Sequence, residues 1–137
     1  MARKLAVTIH NQSGDLTHLR RVVEVYLEQF SFPSKIEYAV NLVLEEVVVN
    51  IIHYAYDDEG SHEIAVSLQV GDGELLIEVE DDGREFNPLL VETPGRAVPE
   101  AERADSGLGL RFIRHVRNAM EYKREQGRNL LRIWIFE

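Results

Sequence analysis

Residues 62–83, HEIAVSLQVGDGELLIEVEDDG, decide the fold. HEIAVSLQV and ELLIEVED each alternate with period two, and the short GDG turn at 71–73 joins them into an antiparallel hairpin. Upstream, RKLAVTI (3–9) reads as a first strand. DLTHLRRVVEVYLEQF (15–30) reads as a helix with Asp15 as its N-cap, and a second helix follows Pro33 and Ser34 over about 35–56. Downstream, the pattern dissolves between Gly83 and Ser106, a stretch holding three of the four prolines. A loop that long inside a compact domain reads as a functional lid or as disorder. GLGLRFIRHVRN then forms a helix entered through glycines. AMEYKRE and RNLLRIWIF make a last hairpin about Gln126 and Gly127, with Trp134 read as core. The order β-α-α-β-β-lid-α-β-β predicts an α/β two-layer sandwich, a mostly antiparallel mixed sheet with helices on one face.

The 137 residues predict one domain, spanning 1–137. The absence of cysteine excludes disulfides, thiolate zinc sites and thiol catalysis. A net charge of −9 disfavours direct nucleic-acid binding, because phosphate backbones recruit basic surfaces. No apolar run reaches the roughly 20 residues of a membrane span, and the N-terminus lacks the pattern of a signal peptide. The expectation is a cytoplasmic protein with no membrane partner.

In the second helix, VNLVLEEVVVNIIHYA (40–55) places Val40, Leu44, Val47, Val48, Ile51 and Ala55 on one side, with Glu46, Asn50 and His53 on the other. One reading is the solvated face of an amphipathic helix. The other is a magnesium site. Mg²⁺ takes few protein oxygens, which suits the Asn50 amide, and a carboxylate one turn earlier could accept the proton of an attacking hydroxyl or water. Asp81 and Gly83 likewise read as an ordinary polar turn or as a base contact. A carboxylate is acceptor-only, so it would take a hydrogen bond from the exocyclic amine of adenine and repel the carbonyl oxygen of guanine. Gly83 would let the backbone approach the base. Ser106-Gly107-Leu108-Gly109-Leu110 opens a helix, either for tight packing alone or to offer N–H groups to phosphate.

Taken in order, Glu-x-x-x-Asn on a helix, Asp-x-Gly after a strand, a loop of about twenty residues and Gly-x-Gly into a helix describe a phosphate-and-adenine pocket. The arrangement resembles the GHKL ATPase fold of gyrases, heat-shock chaperones, histidine kinases and mismatch-repair ATPases. LEEVVVNIIHYAY, DDGREFNP, SGLGLRFIR and YKREQGRNLLRI are most similar to the stand-alone anti-sigma-factor serine/threonine kinases, over nearly the whole chain. The resemblance implies ATP and Mg²⁺ as cofactors, Glu46 as catalytic base and Asn50 as magnesium ligand. It also implies Asp81 and Gly83 at the adenine, and Gly107, Leu108 and Gly109 at the phosphates under a lid of about 84–106. The implied partners are a STAS-domain anti-sigma antagonist, which receives the γ-phosphoryl group, and a sigma factor, which is sequestered; a homodimer is implied too. Two other readings are a nucleotide-gated binding module without catalysis and an ATPase subunit that uses water. One departure from the family pattern is Glu85, where a second glycine is usual.

Overall fold

A strand buried on one side alternates apolar and polar residues, and the 62–83 segment folds accordingly. The computed structural model describes residues 3–58, 60–87 and 119–136. In it the segment forms β2 (Glu63–Gly71) and β3 (Glu74–Asp81), and Gly73 takes a φ of 73° at the turn, where a Cβ would be strained. β1 (Lys4–His10) pairs with β2, β5 (Arg128–Phe136) with β3, and β4 (Met120–Glu125) with β5. The sheet order is β1-β2-β3-β5-β4, and each of these pairings is antiparallel. Gln126 (φ 52°) and Gly127 (φ 74°) turn the β4–β5 hairpin, two left-handed residues in the manner of a type I′ turn. The helix expected over 107–118 and the lid from residue 88 onward lie outside the described residues.

Among the described residues two helices cover one face: α1 (Ser13–Leu27) and α2 (Ser34–Tyr54). α1 turns Leu19, Val23, Tyr26 and Leu27 inward, and α2 turns Ile36, Ala39, Val40, Val43, Leu44, Val47 and Val48, spacings that keep one helical stripe on the sheet. Ile64, Val66, Leu68, Leu75, Ile77, Val79, Leu131 and Ile133 complete the core from the strands. The α/β sandwich, with helices on one face of an antiparallel sheet, is as expected.

Two local expectations fail. Asp15 does not cap α1; Gln12 stands there without a side-chain cap bond, and Asp15 Oδ2 accepts the His10 N–H at 2.7 Å. That bond fastens the end of β1 to the first turn of α1. Trp134 is not core. It shares strand parity with Arg132 and opposes the buried Ile133 and Ile135, so it lies half-buried on the face away from α1 and α2, paired with Leu76. Charge pairs occupy the same face: Arg132 donates to Glu78 at 2.9 Å and to Glu121 at 3.3 Å.

Truncating Ile77, fully buried on the central strand, therefore removes core contacts that cannot be replaced. Ile77→Ala is expected to lose about 3 kcal/mol of stability in urea unfolding, whereas Val25→Ala, at a 52% exposed position, should change it by less than about 0.5 kcal/mol.

Candidate active site

The polar residues of α2 divide by burial rather than forming one solvated face. Glu45 is exposed and accepts from Arg20 of α1 at 2.9 Å, a surface pair. Glu46, its neighbour, is 5% exposed. Glu46 Oε1 and Asn50 Oδ1 are both sealed from solvent with no hydrogen-bond partner among the described residues. Buried polar atoms are nearly always satisfied, so two orphan acceptors one helical turn apart require an explanation. Burial pushes the Glu46 carboxyl up to about 7; hydrogen bonding from the Asn50 amide works the other way, and the Glu45 charge adds to the rise. A hard cation held mainly by phosphate and water oxygens would satisfy Asn50 Oδ1, and a proton donor above Glu46 would satisfy Oε1. Among the described residues no cluster of three or more acidic or histidine side chains gathers for a metal, so phosphate and water would supply most of its ligands.

The second part of the site forms where β3 ends. Asp81 continues the inward parity of Ile77 and Val79, so its carboxylate enters the helix-facing layer, 4% exposed. Oδ1 accepts the Gly83 N–H at 2.8 Å and the Asn129 amide at 3.0 Å. Burial raises the Asp81 pKa, and these two bonds oppose it by favouring the charged form. The expected reason for glycine at 83 gains a second one here. A Cβ on Gly83 would lie 2.5 Å from the Ala55 Cβ and 2.7 Å from the Ala55 carbonyl oxygen, so a side chain is excluded by the end of α2 itself.

That contact joins the two parts. The Arg84 N–H donates to the Ala55 carbonyl at 2.9 Å, Tyr56 donates its hydroxyl to Asp82 at 2.9 Å, and Arg84 pairs with Asp57. Tyr56 stacks flat on His62 (centroids 3.9 Å, 3° between planes), and His62 bonds Asp58 at 2.8 Å. Asn50 stands five residues before Ala55, about 8 Å along the helix axis at the usual rise. Asn50 thus lies toward the end of α2 that meets Gly83 and the end of β3, with Glu46 one turn further back on the same helix. Gly107, Leu108 and Gly109 lie outside the described residues. Glu85, in place of a second glycine, is exposed. Asn129 was not expected. Its signal was an amide at a position where the β5 alternation calls for an apolar side chain, legible only once the register pairs it with Asp81.

A family model described as the histidine kinase-like ATPase domain matches residues 9–135. A serine/threonine-protein kinase, BtrW of Bordetella bronchiseptica, is 26% identical over 98 residues, covering 72% of this chain and 69% of that protein. The crystal structure of the RsbU and RsbW domains of a Mycobacterium tuberculosis protein superposes with a TM-score of 0.65 at 15% identity over 97% of this chain, which spans 32% of that longer one. At that identity the likeness is one of fold. No helix among the described residues is long and apolar enough to cross a membrane.

Two outcomes follow for the ligand-free protein. Gly83→Ala forces backbone and Ala55 apart and is expected to lower stability by about 1–3 kcal/mol. Glu46 has a folded-state pKa of about 7, raised from 4.5, so the folded state binds the extra proton between those values and stability falls as pH rises through that window. Glu46→Gln should therefore gain on the order of 2 kcal/mol relative to wild type at pH 8. The gain should vanish near pH 4, in thermal unfolding followed across pH.

Proposed function

From the premise that this chain belongs to the histidine kinase-like ATPase domain family, we propose that its 137 residues act as one ATP-binding domain and a serine/threonine protein kinase of the anti-sigma type. The observation that carries the reading is the pair of buried, unpartnered acceptors, Glu46 Oε1 and Asn50 Oδ1, one turn apart on α2. The kinship with a protein named as a serine/threonine kinase supports the reaction class.

Asp81 accepts the 6-amino group of adenine, and Gly83 leaves the end of β3 low enough for the base to approach. By the motif resemblance, Gly107, Leu108 and Gly109 are assigned to the phosphates and about 84–106 to the lid. Asn50 Oδ1 holds magnesium, which when bound neutralises charge on the phosphate oxygens. Glu46 accepts the proton of the partner's serine hydroxyl as its oxygen attacks the γ-phosphorus. The new O–P bond forms while the bond to the β,γ-bridging oxygen breaks, and ADP departs. Burial suits Glu46 to this task, because a base with a pKa near the working pH accepts and returns a proton with least loss.

The partner follows from the motif resemblance: a STAS-domain antagonist as phosphoacceptor and a sigma factor as the protein held, in the cytoplasm, with the kinase as a homodimer. A net charge of −9 fits a protein partner better than a nucleic acid.

Purified protein with magnesium and ATP labelled at the γ-phosphate should label a serine on one STAS-domain protein of the same genome. Glu46→Ala is expected to lower that transfer by a factor of about 10² to 10⁴ while nucleotide and partner binding persist. Nucleotide binding with no label on any partner would point instead to a nucleotide-gated binding module, and label released as free phosphate without a partner to an ATPase. Asp81→Asn exchanges one acceptor oxygen for a donor and should weaken ATP binding in calorimetry without unfolding the protein.

A further inference from the structure

We infer that the β4–β5 hairpin is the element that positions Asp81 for reading the purine, with Asn129 as the positioning residue and Tyr122 and Arg124 as the side chains that orient Asn129. This rests on the reading of Asp81 as the base contact. Asn129 lies directly across from Asp81 in the β3–β5 register and is 6% exposed. Its two amide hydrogens go to Asp81 Oδ1 at 3.0 Å and to the Arg84 carbonyl at 2.8 Å. Its oxygen accepts from the Tyr122 hydroxyl, from Arg124 Nη1 at 3.1 Å and, at 3.4 Å, from the Phe86 N–H.

That arrangement fixes which way the amide points. Arginine only donates, and so does a backbone N–H, so the face of Asn129 toward Arg124 and Phe86 must be its oxygen. The NH₂ is therefore turned to Asp81. Arg124 also donates to the Gly83 carbonyl at 2.7 Å, so the hairpin holds the chain at Asp81, Gly83, Arg84 and Phe86, the whole turn that carries the base contact. Asp81 Oδ1 is then filled by Gly83 and Asn129, the carboxylate plane is set, and the other oxygen is the one offered to a ligand amine. Donation from Asn129 also favours the ionised, acceptor-only form of a carboxylate that burial pushes toward protonation. The other groups facing Asp81 are Asp82 beside it, Arg124 from β4, and the phenols of Tyr122 on β4 and Tyr56 after α2.

Asn129→Asp keeps the shape and replaces the donor by a second carboxylate. Two carboxylates at this distance cannot both stay ionised easily, and a proton held between them restores the missing donor while leaving the outer oxygen of Asp81 an acceptor. The experiment is calorimetric titration of wild type, Asn129→Asp and Asp81→Asn with ADP and with IDP, which presents a carbonyl where ADP has its 6-amino group. Titrations run without magnesium from pH 5.5 to 8.5, with circular dichroism at each pH. Wild type is expected to prefer ADP. Asn129→Asp should bind ADP about tenfold or more weakly at pH 8, with less preference over IDP, and regain affinity as the pH falls.

An Asn129→Asp profile matching wild type overturns the inference. So does a pH-independent loss that strikes ADP and IDP equally, since a merely structural residue would give that. Wild type and Asp81→Asn binding ADP alike would sink the base-contact reading itself, and this inference with it. If Asn129→Asp fails to fold, Tyr122→Phe and Arg124→Leu decide. Each removes a donor that orients the amide and should narrow the ADP-over-IDP preference; an unchanged preference in both refutes the hairpin's role.

Discussion

The close approach of Ala55 to Gly83 is the contact on which the rest of the site depends. A helix packed on a sheet normally keeps side chains between the two layers. Here the end of α2 meets the end of β3 backbone to backbone, with no room for a Cβ at residue 83. Because the Arg84 N–H then bonds the Ala55 carbonyl, the helix that carries Glu46 and Asn50 and the strand that carries Asp81 end in one rigid corner. A chemical group spanning both would meet a fixed separation. The Tyr56–Asp82 and Arg84–Asp57 contacts on the surface reinforce a geometry that the glycine alone makes possible.

Burial treats the polar residues of this corner in two ways. Asp81 and Asn129 answer each other across paired strands, and the amide's hydrogens and oxygen are all engaged, so Asp81 Oδ1 and the Asn129 amide are satisfied before any ligand arrives. Glu46 and Asn50 have no such answer for Oε1 and Oδ1. A protein tolerates orphan acceptors in its interior where something outside the chain completes them, and each unsatisfied group otherwise weakens the fold. The preorganised end suits recognition of a fixed shape such as a base. The unsatisfied end suits groups that arrive and leave, such as a proton or a hydrated cation. Which polar atoms the fold itself has already paired is what sets the two ends apart.

Much of the architecture was legible in the chain. Period-two alternation in 62–83 and 128–136 and the helical stripe from Ile36 to Val48 are local signals, and the faces they define are the faces buried. The Gln126-Gly127 turn was equally local, since its left-handed residues set the hairpin without help from elsewhere. Trp134 departs from the expected core because strand parity, set by Ile133 and Ile135, places it on the face away from α1 and α2. Asp15 does not cap α1 because the cap position depends on where β1 delivers the chain, and its carboxylate accepts the His10 N–H instead.

What the sequence determined by itself was pattern: two layers, antiparallel pairing, and the order of Glu46, Asn50, Asp81 and Gly83 along them. Hydrophobic periodicity writes that information residue by residue. What only the tertiary structure decided was environment. Glu46 and Glu45 are adjacent and chemically alike, yet one is buried with its proton held to about pH 7 and the other is a surface partner of Arg20. Asn129 acquires its role solely because register sets it against Asp81, 48 positions away in the chain. Burial and cross-strand pairing are properties of distant segments brought together, and a carboxylate's chemistry depends on them more than on its neighbours in sequence.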